Sequence, residues 1–106
     1  MSLVRTVHIE AAPGKGQAVE KLLGELVPAI RALPGCEGVT AFGDHGEGTY
    51  GMFVVWDTVA HADAARDVIG PRLQGGLHGN VREPPDIRMY EVIGAPAPRS
   101  RAPAAR

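Results

Sequence analysis

Residues 3–10, LVRTVHIE, alternate in character: Arg5, Val7 and Ile9 fall on one side, and Val4, Thr6 and His8 on the other. A period of two predicts a strand. Pro13-Gly14 ends it in a turn. From Gln17 the period changes, with Val19, Leu22, Leu23, Leu26, Val27, Ile30 and Leu33 forming one helical stripe over 17–33. Pro28 lies inside that helix and predicts a kink near Gly24, because it lacks a donor and crowds the preceding turn. Pro34-Gly35 stops the helix. CEGVTAFGD, 36–44, reads as a second strand, HGEG as a turn, and TYGMFVVW, 49–56, as a third strand. In the third strand Tyr50, Met52, Val54 and Trp56 share one face, and Gly51, Phe53 and Val55 the other. Both faces are apolar, which predicts a central strand covered on both sides. Asp57 or Thr58 caps a second helix, running to about Ile69 with Val59, Ala62, Ala65, Val68 and Ile69 inward. Gly70-Pro71 is expected to stop it. Residues 71–86 read as irregular; Leu73, Leu77 and Val81 hint at a helical turn that Gly75, Gly76 and Gly79 weaken. IRMYEVI, 87–93, is the last strand.

The order β-α-β-β-α-β predicts a ferredoxin-like α+β domain over residues 1–93. Helices on one face of four strands leave the other face bare. An apolar bare face needs a partner, and a homodimer through the sheet is the economical expectation. The segment GAPAPRSRAPAAR, 94–106, has too little apolar content to fold and is expected to be disordered.

Composition narrows the function classes. The chain has 106 residues, enough for one domain, and a net charge of −1, so no global basic field for nucleic acid exists. Three arginines of the tail carry no matching acid; without them eight basic residues face twelve acidic ones. The single cysteine, Cys36, excludes an internal disulfide framework and fits a reducing compartment. Residues 1–9 already alternate, so no signal peptide is expected, and the longest apolar run, Met52 to Trp56, falls far short of the ~20 residues that span a bilayer. A cytoplasmic protein without membrane or nucleic-acid partners is the expectation. PGKG lacks the other residues of a phosphate loop, and no CxxC, HExxH or calcium-loop pattern occurs, so neither a metal nor a cofactor is expected.

The early PGKG turn, LPGCEGV before the second strand, FVVWDTVAHADAA across the strand-to-helix junction and the closing IRMYEV together resemble the antibiotic biosynthesis monooxygenase-like proteins of the dimeric α+β barrel superfamily. The resemblance covers residues 3–93. It implies a four-stranded antiparallel sheet whose dimer closes a barrel, and cofactor-free oxygenation of phenols or quinols among the possible activities. The haem-degrading branch places an Asn on the first strand, a Trp in the second helix and a His shortly after it. Here the first strand offers His8, the helix Ala64 and Ala65, and the following stretch Pro71, Arg72 and Leu73, which argues against that chemistry.

Candidate residues follow from this frame. Trp56 offers a stacking wall for a flat ligand, or a plug where strand meets helix. His8 could accept a phenolic proton near neutral pH, or sit at a dimer interface. Arg88 and Tyr90 share a strand face and could orient a phenolate, or point to solvent. His78 and Asn80 lie in a glycine-rich stretch that could cover a pocket or simply be solvated. The expected activity is a cofactor-independent monooxygenase acting with O₂ on a phenol or anthrone, with His8, Arg88 and Tyr90 catalytic and Trp56, His78 and Asn80 binding the substrate. The alternative is a non-catalytic dimeric module for a small aromatic or hydrophobic ligand; haem binding through His8 or His78 is a third.

Overall fold

The computed structural model describes residues 2–95. Six elements follow in the expected order: β1 (Leu3–Glu10), α1 (Gly16–Arg31), β2 (Cys36–Asp44), β3 (Thr49–Trp56), α2 (Val59–Leu77) and β4 (Asp86–Glu91). The strands form one sheet in the order β2-β3-β1-β4, with every neighbouring pair antiparallel. This is the ferredoxin-like α+β arrangement. Two Pro-Gly pairs set its corners. Pro13-Gly14 and Pro34-Gly35 each place the glycine at positive φ, 77° and 83°, and each turn is closed by a backbone bond, from Lys15 to Ala12 and from Cys36 to Leu33. Proline followed by a glycine at positive φ is the chemistry of a type II turn.

Register divides the sheet into two faces. On the covered face Arg5 opposes Val54, Val7 opposes Met52 and Ile9 opposes Tyr50. Val39 and Ala41 continue that face on β2, and Ile87 and Met89 on β4. Val19, Leu23, Leu26 and Ile30 of α1 and Ala62, Ala65, Ile69, Leu73 and Leu77 of α2 close over it to make the core. Burying such aliphatic side chains stabilises the fold by about 1.5–3 kcal/mol each. The opposite face carries Val4, Thr6, His8, Phe42, Phe53, Val55, Arg88 and Tyr90, and no element of the described chain covers it. Phe42 is 52% exposed, Phe53 39% and Tyr90 48%. Of the two apolar faces of β3, this chain therefore covers only one.

α1 is a single helix with Pro28 inside it. α2 departs further from expectation. It does not stop at Gly70-Pro71 but continues to Leu77. Ile69, Leu73 and Leu77 extend its buried stripe in steps of four, and this packing outweighs the donor that Pro71 lacks. Gly76 belongs to the same contact: a Cβ there would lie 2.5 Å from the Leu22 side chain. Thr58 caps the helix by accepting a hydrogen bond from the His61 backbone N–H at 3.1 Å. Cys36 is buried and unpaired with another thiol. The expectation of a disordered 94–106 falls, from residue 96 onward, outside the described residues. No helix of the described residues is long and apolar enough to cross a membrane.

Candidate functional site

The buried stripe of α2 is uneven. Its first two positions are Ala62 and Ala65, and its later ones Ile69, Leu73 and Leu77. Small side chains at the start cannot fill the space above β1 and β3, and a cavity of about 90 Å³ remains there. Trp56, Val54, Met52 and Val7 wall it on the sheet side, Ala65 and Ile69 on the helix side. Trp56 is 2% exposed, and its Nε1–H, fully buried, has no hydrogen-bond partner among the described residues. A buried donor left unpaired costs about 1–3 kcal/mol.

The cavity's titratable residues are Arg5 and Arg66. Arg5 stands on the covered face of β1, where alternation puts it in line with Val7 and Ile9. Its side chain is 15% exposed. Nη1 donates to the Ala62 carbonyl at 3.2 Å, while Nη2 lies 3.8 Å from Asp63 Oδ1. Burial pulls the Arg5 pKa below its ordinary value; Arg66 pushes the same way and Asp63 opposes. Arg66 Nη1 is 4.0 Å from that same Asp63 oxygen, so two guanidiniums share one carboxylate. A hollow lined almost wholly by apolar surface can hold a small flat or short apolar molecule.

The sequence-predicted residues do not gather in one place. Trp56 is on the covered face. His8, Arg88 and Tyr90 are on the bare face, separated from Trp56 by the sheet itself. His8 Nε2 pairs with Glu10 Oε2 at 2.7 Å, and Arg88 Nε reaches both Asp86 oxygens at 3.1 Å, which holds the guanidinium pKa above its usual value. Tyr90 is half exposed. His78 and Asn80 lie at the end of α2 rather than in a free loop. His78 is exposed, and Asn80 Nδ2 donates to the Gly76 carbonyl at 2.8 Å, satisfying one of the last helical acceptors. None of these five residues lines the cavity. Arg5 and Arg66 were missed. The available signal was a lone arginine in the register of a buried apolar stripe.

Size limits the occupant. An apolar cavity near 150 Å³ accepts benzene, so about 90 Å³ admits part of one ring, with the rest projecting through the open side. A porphyrin or a fused three-ring anthrone does not fit without displacement of α2. Neither His8 nor His78 faces the cavity, so the residues present do not suit a haem there. Among the described residues no three His, Cys, Asp or Glu side chains gather as metal ligands.

The elements define a ferredoxin-like α+β domain with a hollow between sheet and helices. A model of the antibiotic biosynthesis monooxygenase family matches residues 2–67, and the chain belongs to that family. Its fold is similar to that of a protein of unknown function from Nitrosomonas europaea, at 25% identity and a TM-score of 0.82 over 93% of this chain and 96% of that one. A protein from Pseudomonas aeruginosa is 23% identical with a TM-score of 0.77, covering 88% and 95% of the two chains. A solved antibiotic biosynthesis monooxygenase is 20% identical with a TM-score of 0.75, covering 87% and 99%. No curated protein matches the chain.

Proposed function

We propose that the protein is an oxidoreductase of the monooxygenase type that holds a single phenolic or hydroquinone-like ring in the cavity beneath α2. The carrying observation is the apolar hollow against Trp56, in a chain of this family. Such chemistry asks little of the protein. The ring enters already ionised in solution, since no cavity-lining group is a base; the phenolate passes an electron to O₂, and the radical pair then joins in a carbon–oxygen bond. Loss of water leaves the oxidised ring. For a hydroquinone the balance is hydroquinone plus O₂ giving hydroxyquinone plus water, with all four electrons drawn from the substrate. The chain's contribution is to position and desolvate the ring. Trp56 walls the ring on the sheet side.

The bare face receives a second copy of the chain in this proposal, burying Phe42, Phe53, Val55, Val4 and Tyr90 against their counterparts. His8 and Arg88 then lie between the two sheets and serve the assembly instead of contacting the ring. Oxygen uptake with a panel of single-ring hydroquinones tests the reading. Uptake above the protein-free rate is expected, lost in Ala65→Leu and retained in His8→Ala. No uptake with any member of the panel would overturn it, and loss in His8→Ala alone would move the chemistry to the bare face.

A second reading, a non-catalytic binding module, is favoured by one observation: the cavity's titratable groups are arginines, and neither is a base. Saturable binding of a hydroquinone with no oxygen uptake would establish it.

A further inference from the structure

The hollow beneath α2 has a buried wall and an open side. Val7, Met52, Val54, Trp56, Ile69 and Leu73 line it, none of them more than 8% exposed. Two other lining residues reach solvent: the Arg66 side chain is 62% exposed and Ile87 49%. Arg66 belongs to α2 and Ile87 to β4, so the mouth lies between that helix and the edge strand. The lining itself is almost wholly apolar. A hydroxyl carried inside gives up its water for a wall with almost no polar surface, which is unfavourable. Each methylene carried inside is favourable. A phenolic molecule therefore enters by its apolar end and leaves its oxygen at the mouth.

Volume sets how much can enter. A cavity near 150 Å³ holds the six carbons of benzene, or roughly 25 Å³ per carbon. The cavity of about 90 Å³ then holds about three to four carbons. A whole ring exceeds that space, whereas a propyl or butyl chain fills it. We propose that the hollow measures a short alkyl substituent on the phenolic ring, the chain lying inside and the ring following it to the mouth with its oxygen outward; this rests on the reading of the cavity as the ligand site. Ala65 sets the limit on the helix side, where a longer side chain would occupy the chain's place.

Titration calorimetry with para-alkylphenols from methyl to hexyl tests this on the unaltered protein. Affinity is expected to rise about fourfold for each added carbon and to level off after about three to four of them. The levelling separates a bounded hollow from unspecific greasy binding, which would climb through hexyl. In Ala65→Leu, which adds three carbons to the helix wall, the plateau should begin at the methyl compound. Affinity that ignores chain length would overturn the inference while leaving the cavity as a ligand site. A rise that continues through hexyl would overturn it too, as would a plateau that stays in place in a folded Ala65→Leu protein. Binding of no member of the series would overturn both the inference and the reading of the cavity.

Discussion

Filling the hollow beneath α2 separates a genuine cavity from a collapsed one by the sign of a stability change. Ala65 is 6% exposed and lines the cavity on the helix side. Ala65→Leu adds three carbons at a position where the helix holds only a methyl group. Three methylene equivalents at ~0.8 kcal/mol each give about 2.4 kcal/mol of transfer free energy. Removing a void of about 90 Å³ at ~24 cal/mol per Å³ gives about 2 kcal/mol by a separate route. Both are upper bounds, because the cavity opens to solvent. The expected result is a rise in unfolding free energy of about 1–2 kcal/mol, read as a higher urea midpoint at unchanged slope. For a domain of this size that corresponds to a melting temperature raised by roughly 4–8 °C per kcal/mol. Had the side chains closed the space, the same substitution would overpack it and cost about 1–3 kcal/mol. A lower midpoint would therefore refute the reasoning on which the site depends.

Three further outcomes follow. Leu26→Ala removes a fully buried side chain where α1 meets the sheet and should cost about 2–5 kcal/mol in urea unfolding, with oxygen uptake per folded molecule unchanged. Asp57, hydrogen-bonded to His61 Nδ1 at 2.7 Å, has its pKa lowered from 3.8 chiefly by that bond; its contribution is complete above the unfolded value and lost as pH falls through the folded one. The melting temperature of Asp57→Asn should thus fall less steeply than that of the unaltered protein below pH ~4. Tyr50, wedged against Gly43 and Gly16, has its phenol pushed above 10.0 by burial first and then by Glu20 and Asp44. In a Tyr90→Phe background its absorbance should titrate later than free tyrosine, with stability intact below pH ~10 and lost as pH rises through the folded value.

Strands and corners were legible because their signals are local. Alternation in LVRTVHIE and TYGMFVVW assigned each residue to its face, and the two Pro-Gly pairs marked turns that only glycine at positive φ closes readily. The length of α2 was not legible. Gly70-Pro71 and three later glycines oppose a helix locally, yet Leu73 and Leu77 find core partners that only the tertiary structure provides. The candidate site divided for a related reason. His8, Arg88 and Tyr90 were correctly read as strand residues, but which face the helices cover depends on packing between distant elements. Arg5 was visible as a charge in an apolar register, and only the approach of α2, with Ala62 and Asp63, gives that charge a chemical setting.

Trp56 is the chain's sole tryptophan and lines the cavity, so its fluorescence reports on that wall. Titrating the protein with a single-ring hydroquinone while following that emission tests whether the hollow is a ligand site. A saturable change that disappears in Ala65→Leu is the predicted result. An emission that never responds, or one that responds equally in the filled variant, would contradict it.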